Sequence, residues 1–213
     1  VLSKDKPMLP KDFRFGTGIS SYQVEGAYRE NEKEQSVWDV YTHEKGNILD
    51  GTNGDVALDF YHRYKEDLDL ANELGIQDFR FSLSWARVLK ADGTINLKGI
   101  RFYQSLIEEI EKRGMNPVRT IYHWDRPRWF FEKGGFLPRS CLDDFARYRD
   151  VVSEYFAPER TDFISFNEPQ CFLFLGFHKG GHAPNVLRSY QELCQMAHHV
   201  LLCHAIASEK IKA

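Results

Sequence analysis

The 213-residue chain has no excess of charge of either sign: 28 Lys and Arg stand against 31 Asp and Glu, a net charge of −3. Nucleic-acid binding normally draws a basic patch, so this balance gives no reason to expect such a partner. Cysteine is sparse. Cys141, Cys171, Cys194 and Cys203 include no Cys-x-x-Cys pair, so neither a zinc knuckle nor a disulfide framework is indicated, and reduced thiols are expected. No apolar run approaches membrane length, and the opening VLSKDKPM has no apolar signal core. A soluble, cytoplasmic protein without membrane contact is the expectation. A glycine-rich phosphate loop is also missing: Gly16-Thr17-Gly18 runs on into ISSYQ, without the third glycine of a dinucleotide fingerprint.

What the chain does have is aromatic side chains, at 14% of residues with 16 Phe, 10 Tyr and 4 Trp. Most belong to a bulky core, but several stand where strands end and would face a cleft. Sugars present flat CH faces, which aromatic rings accommodate.

The sequence reads as four strand-then-helix units. The expected strands are 13–16, 78–82, 117–122 and 162–166. The first crossover holds a long loop and a helix over 55–74, with Phe60, Tyr64, Leu68 and Ala71 at helical spacing and Gly75 as the stop. The second helix starts after Asn96 as N-cap and ends at Gly114; the third begins near Ser140. A fourth opens with Ser189 and Glu192 in capping-box spacing. Short apolar strands joined by helices predict a parallel sheet covered on both faces. Polar residues at all four strand ends favour a (β/α)8 barrel, whose active sites lie at that face, over an open nucleotide-binding sheet. Four units make half of such a barrel, with residues 1–213 forming its N-terminal half and no second domain.

Glu168 follows the fourth strand, between Asn167 and Pro169, where it is suited to protonate a leaving oxygen. A general acid must keep its proton at working pH, which a partly desolvated site and a neighbouring carboxylate provide. Asn167 can bond a sugar hydroxyl beside the reacting bond. After the third strand, His123 offers a neutral imidazole donor and Trp124 an indole face and N–H. Asp125 and Arg126 read as a local ion pair in a turn. Arg80, between Phe79 and Phe81, is an inward guanidinium that should find a carboxylate. Gln23 can donate and accept at adjacent hydroxyls. His178 and His182 stand four apart in a glycine-rich stretch, a poor context for a metal.

Taken together, FGTGISSYQVEG (15–26), SVWD (36–39), YHRYKED (61–67), RFSLSW (80–85), YHWD (122–125) and FNEP (166–169) resemble glycoside hydrolase family 1, in that family's order. The resemblance implies a (β/α)8 barrel that hydrolyses β-glycosides with retention through two glutamates, without metal or cofactor. It implies that Glu168 is the acid/base and that Asn167 contacts the sugar 2-hydroxyl. Gln23, His123 and Trp124 would hold the non-reducing-end sugar, and Arg80 would stand beside the nucleophile. The β-glucosidase form is closer than the phospho-sugar branch. Three departures stand out. The family usually has Leu at Arg126 and often Trp at Gln170, and its nucleophile motif, Glu-Asn-Gly, is absent from these residues. The chain is therefore expected to be the N-terminal part of a β-glucosidase-like enzyme, inactive alone, partnered by a complementary C-terminal half or by itself. The alternative is a non-catalytic half-barrel that binds carbohydrate or serves as a scaffold.

Overall fold

A computed structural model describes residues 9–157 and 162–212. Its strands β1 (Gly16–Gly18), β2 (Asp78–Ser82), β3 (Asn116–Tyr122) and β4 (Asp162–Phe166) pair in parallel, in the order β1-β2-β3-β4. The helices are α1 (Ser21–Val24), α2 (Val37–His43), α3 (Phe60–Glu73), α4 (Trp85–Val88), α5 (Leu97–Lys112), α6 (Arg128–Glu132), α7 (Cys141–Phe156), α8 (Pro169–Phe174) and α9 (Tyr190–Lys212). Helices α3, α5 and α7 are the crossovers. The short helices α1, α2, α4, α6 and α8 follow strand ends, and one turn of π-helix, Leu175–Lys179, extends α8.

Local chemistry sets these boundaries. The Asn96 side chain accepts the Lys98 amide (3.2 Å) and starts α5, whose Ile100, Tyr103, Leu106, Ile107 and Ile110 are buried on one face. Each such side chain contributes about 1.5–3 kcal/mol when fully buried. Before α9 the capping box is formed: Ser189 Oγ accepts the Glu192 amide (3.3 Å) and Glu192 accepts the Ser189 amide (2.9 Å). Ser140 makes no such side-chain cap; backbone turns from Pro138 and Arg139 lead into α7 instead.

Two expected elements differ. Strand β1 lies at Gly16–Gly18 instead of 13–16, because the Arg14 guanidinium grips the Asp78 carboxylate (2.7 and 2.8 Å) below the ladder and Phe13 packs edge-on against Phe15 (5.0 Å). This edge strand is only three residues long. Helix α3 begins at Phe60 instead of residue 55, because Leu58 is tied to the Val24 carbonyl (3.3 Å) and Asp59 turns the chain through a left-handed conformation.

The core lies between sheet and helices. Trp85 stacks on Tyr148 (4.7 Å), whose hydroxyl donates to the carbonyls of Ile121 (2.7 Å) and Leu83 (3.1 Å) and so ties α7 to the strand ends. A buried ion pair secures the loop after β1: Arg87 donates to Glu25 (2.9 Å), which also accepts from the Tyr103 hydroxyl (2.6 Å). Beside it Gly26 has φ +65°, and a Cβ there would lie 2.2 Å from the Val56 carbonyl oxygen, so glycine alone fits.

Candidate active site

Strand β4 ends on Phe166, packed against Phe145 (5.2 Å) and Tyr122 (5.3 Å). The Asn167 amide donates to the Tyr122 carbonyl (2.9 Å), carrying the ladder one residue further. Glu168 then turns left-handed (φ 40°, ψ 64°) and Pro169 opens α8, where its missing N–H is no loss. At the end of β3, Trp124 is also left-handed (φ 74°), and its indole N–H donates to the Asn167 carbonyl (2.8 Å). Left-handed backbone costs a non-glycine residue about 1 kcal/mol or more. Both strained residues sit at neighbouring strand ends and are cross-linked through Asn167.

Arg80 lies beneath them. Its Nη2 donates to Asn167 Oδ1 (2.5 Å) and its Nε to Thr120 Oγ1 (2.9 Å). The expected carboxylate partner is not found among the described residues; a neutral amide and a hydroxyl take its place. This contact orients the Asn167 amide, with its NH₂ left for a ligand.

Gln23, His123, Trp124, Asn167 and Glu168 line one cavity of about 600 Å³. Gln23 Oε1 accepts from Ser20 Oγ (2.6 Å), so its NH₂ is the available group. Burial, aided by the Arg80 charge, pushes the His123 pKa down to about 4, so the ring is neutral at physiological pH. Its Nδ1 has no partner among the described residues.

Five further side chains, none of them a candidate by its position in the sequence, line the cavity: Tyr22, Trp38, Thr42, Asn53 and His182. Trp38 and Tyr22 stack at 5.6 Å, and His182 packs against both Trp38 and Trp124 at 5.7 Å. Burial lowers the His182 pKa, and its Nδ1 is likewise unpartnered. Tyr22 and Trp38 lie inside motifs that mark them as notable, but nothing in the spacing shows that the loop over 44–59 brings them to Glu168. His178 diverges from His182 and bonds the Tyr190 hydroxyl (3.1 Å).

Asp125 and Arg126 form no ion pair. Asp125 accepts from Ser21 Oγ (2.8 Å), and burial pushes its pKa up to about 6. Arg126 donates to the Tyr122 hydroxyl (2.8 Å) and lies over the Phe177 ring (5.0 Å).

Residues 5–213 match the model of Glycosyl hydrolase family 1. The chain belongs to this family. It is 39% identical to Beta-glucosidase A of Acetivibrio thermocellus, over 95% of this chain and 45% of the relative. To the Coniferin beta-glucosidase of Pinus contorta it is 40% identical, over 98% of this chain and 44% of the relative. The AHE enzyme of Alicyclobacillus herbarius superposes with a TM-score of 0.91 at 40% identity, over 96% of this chain and 46% of that one. The beta-glucosidase of Thermotoga maritima in complex with glucoimidazole gives 0.91 at 37% identity, over 95% and 46%. The chain thus spans less than half the length of these relatives. Its four-stranded parallel sheet is half of their (β/α)8 barrel.

Against the family's usual leucine, Arg126 puts a cation in the core: it is fully buried, its Nε and Nη2 have no partner, and no carboxylate reaches it among the described residues. Phe131 and Phe172 (both 5.9 Å) join Phe177 around it. Gln170, where family 1 often has Trp, is exposed on α8. No helix among the described residues is long and apolar enough to cross a membrane.

Proposed function

We propose that this chain supplies the acid/base half of a retaining β-glycosidase site of the β-glucosidase type. The observation that carries the reading is the fixing of Glu168 at the end of β4, in a cavity shared with Gln23, His123, Trp124 and Asn167. Glu168 protonates the glycosidic oxygen as the bond to the leaving group breaks. It then takes a proton from the water that attacks the glycosyl-enzyme. Asn167, oriented by Arg80, donates to the 2-hydroxyl, a contact that strengthens as positive charge develops on the ring. Gln23 and the neutral His123 hold the sugar's other hydroxyls, and Trp124 offers its ring to a CH face. In this reading Arg80 stands beside the nucleophile.

Retention needs a second carboxyl group about 5–5.5 Å from the first. Glu168 is the one carboxylate lining the cavity among the described residues, so the nucleophile belongs to the complementary half-barrel. Binding without turnover is what the cavity does by itself.

Hydrolysis of 4-nitrophenyl β-glucoside by the chain alone, and by the chain with a family 1 C-terminal half, tests this. Activity is expected only in the assembly. Glu168→Gln should cut turnover by roughly 10²–10⁴-fold, the usual worth of general acid–base catalysis, because even with this good leaving group the attack of water on the glycosyl-enzyme needs the base. Azide, which needs no base, should recover the second step. An assembly whose turnover ignores Glu168→Gln removes the acid/base assignment.

A further inference from the structure

We propose that Asp125 is a positioning residue for the sugar site: through Ser21 it sets the helical turn α1 that presents Gln23. This role rests on the reading of Gln23 as a sugar ligand. Asp125, Ser21 and Ser82 are all buried, and they stand just beyond β3, just beyond β1 and at the end of β2. Ser82 Oγ accepts the Ser21 amide (2.7 Å) and donates to Ser21 Oγ (3.1 Å), and Ser21 Oγ donates to Asp125 Oδ2 (2.8 Å). An ionised carboxylate only accepts, so it fixes the direction of both hydroxyl protons. One buried chain of hydrogen bonds thus joins three neighbouring strand ends.

Gln23 lies in the same turn as Ser21. Its backbone amide donates to the Ser20 carbonyl (3.1 Å) and its Oε1 accepts from Ser20 Oγ (2.6 Å), so side chain and turn move as one unit. The ends of the segment are anchored elsewhere, by the Ile19 amide on the Arg80 carbonyl (2.9 Å) and by Arg87 on Glu25 (2.9 Å). Ser21 sets the roll of the turn between these anchors, and with it the direction of the Gln23 NH₂. On its own strand Asp125 directly follows His123 and Trp124. One carboxylate therefore keeps Gln23 in register with the two side chains that share its cavity.

A buried carboxylate destabilises a fold unless a cation meets it. Around the small buried cavity beside Asp125 the other charges pair among themselves: Lys33 with Asp39 (2.6 Å) and Glu25 with Arg87 (2.9 Å). Asp125 has no ion-pair partner among the described residues, and burial raises its pKa. A group that costs stability yet orders a turn of the cavity wall marks a functional constraint. Asparagine can replace the contact: its Oδ1 accepts from Ser21, and the Ser84 hydroxyl in the same small cavity, unpartnered among the described residues, can accept from its NH₂. Alanine can do neither.

Hydrogen exchange of the ligand-free chain, followed residue by residue by NMR, tests the positioning without any sugar. Asp125→Ala should speed exchange of the Ser21 and Gln23 amides several-fold and leave the middle of α5 unchanged; Asp125→Asn should restore the slow rates. In the chain assembled with a family 1 C-terminal half, Asp125→Ala should lower kcat/KM for 4-nitrophenyl β-glucoside about tenfold, the worth of one misplaced hydrogen bond. In a Gln23→Ala background the same change should lower it no further, because both act through one amide. Unchanged exchange at Ser21 and Gln23, or losses that multiply in the double variant, overturn the proposal. Faster exchange in a chain whose assembly hydrolyses no glucoside leaves the positioning standing and removes the glycosidase reading instead. If Asp125→Ala does not fold, Ser21→Ala cuts the same link and takes its place in both measurements.

Discussion

Burial moves His123 and Asp125, two residues apart, in opposite directions: His123 down to about 4 and Asp125 up to about 6. Between about pH 6.5 and 4 the unfolded chain binds a proton that folded His123 refuses, so acidification destabilises the fold through this group. Between about 6 and 3.8 folded Asp125 binds a proton that the unfolded chain has released, so acidification stabilises through it. The two largely offset each other. Asp125→Asn keeps an acceptor for Ser21 and removes one side of the balance. Relative to wild type it should be more stable at pH 7, by up to about 3 kcal/mol for a shift of this size, with the gain gone by pH 4. Urea midpoints at both pH values check this, and a pH-independent difference contradicts it. Arg126 makes a second case. A buried charge without a counter-charge costs several kcal/mol of desolvation, so an apolar side chain of similar volume in its place should be stabilising. Arg126→Leu alone strands the Tyr122 hydroxyl, whose lost partner costs about 1–3 kcal/mol. The double variant Arg126→Leu/Tyr122→Phe should therefore melt several degrees above wild type, and the single variant below the double. A double variant that melts below wild type would show that the guanidinium has a partner that repays its burial.

At the scale of elements, strands β3 and β4 are held at their working ends by the indole of Trp124 on the Asn167 carbonyl. Trp124→Phe keeps the ring and removes the donor, at a cost of about 1 kcal/mol. The Asn167 amide, bonded to the Tyr122 carbonyl, should then exchange its hydrogen several-fold faster, while amides in the middle of α5 are unaffected. Unchanged exchange at Asn167 would mean that the backbone turn holds itself. The elements that could be read from the sequence are those whose signals are local. The Asn96 cap, the Ser189–Glu192 box and the one-sided apolar face of α5 contain their own instructions. Strand β1 lies beyond the expected residues because Phe13 and Phe15 carry a strand's composition but pack on each other, while the ladder takes the glycines above them. The site divides in the same way. Glu168, Asn167, His123 and Trp124 stand at strand ends, where parallel topology brings them together. Tyr22, Trp38, Asn53 and His182 enter the cavity on loops whose paths depend on distant contacts, such as the Tyr22 hydroxyl on the Gly54 amide (3.2 Å). Arg80 departs from the expected carboxylate pairing for a physical reason. A half-buried guanidinium that keeps some contact with solvent is satisfied by an amide and a hydroxyl.

For the whole molecule the open question is what covers the two sides of a half-closed sheet. Beside β1, Leu58, Leu70 and Leu74 are exposed around an apolar groove of about 420 Å³ that reaches down to Phe79, with Phe13 and Phe15 exposed nearby. On the far side Leu201 is exposed on α9. Apolar surface of this kind favours association, and unpaired strand edges provide the template for it. The short β1 limits what a template of backbone groups can contribute, so the helix face should dominate. Expressed alone, the chain should sediment as a dimer or larger, and the double variant Leu70→Lys/Leu74→Lys should shift it toward the 24.9 kDa monomer without lowering its helix content. Under the proposed assembly the same variant should also weaken capture of a family 1 C-terminal half, because that half would pack on this face. If the unmodified chain is a compact monomer by light scattering at micromolar concentration, the groove is tolerated as surface. Capture of a C-terminal half would then have to come from β4 and α9, where Leu201→Lys becomes the informative change.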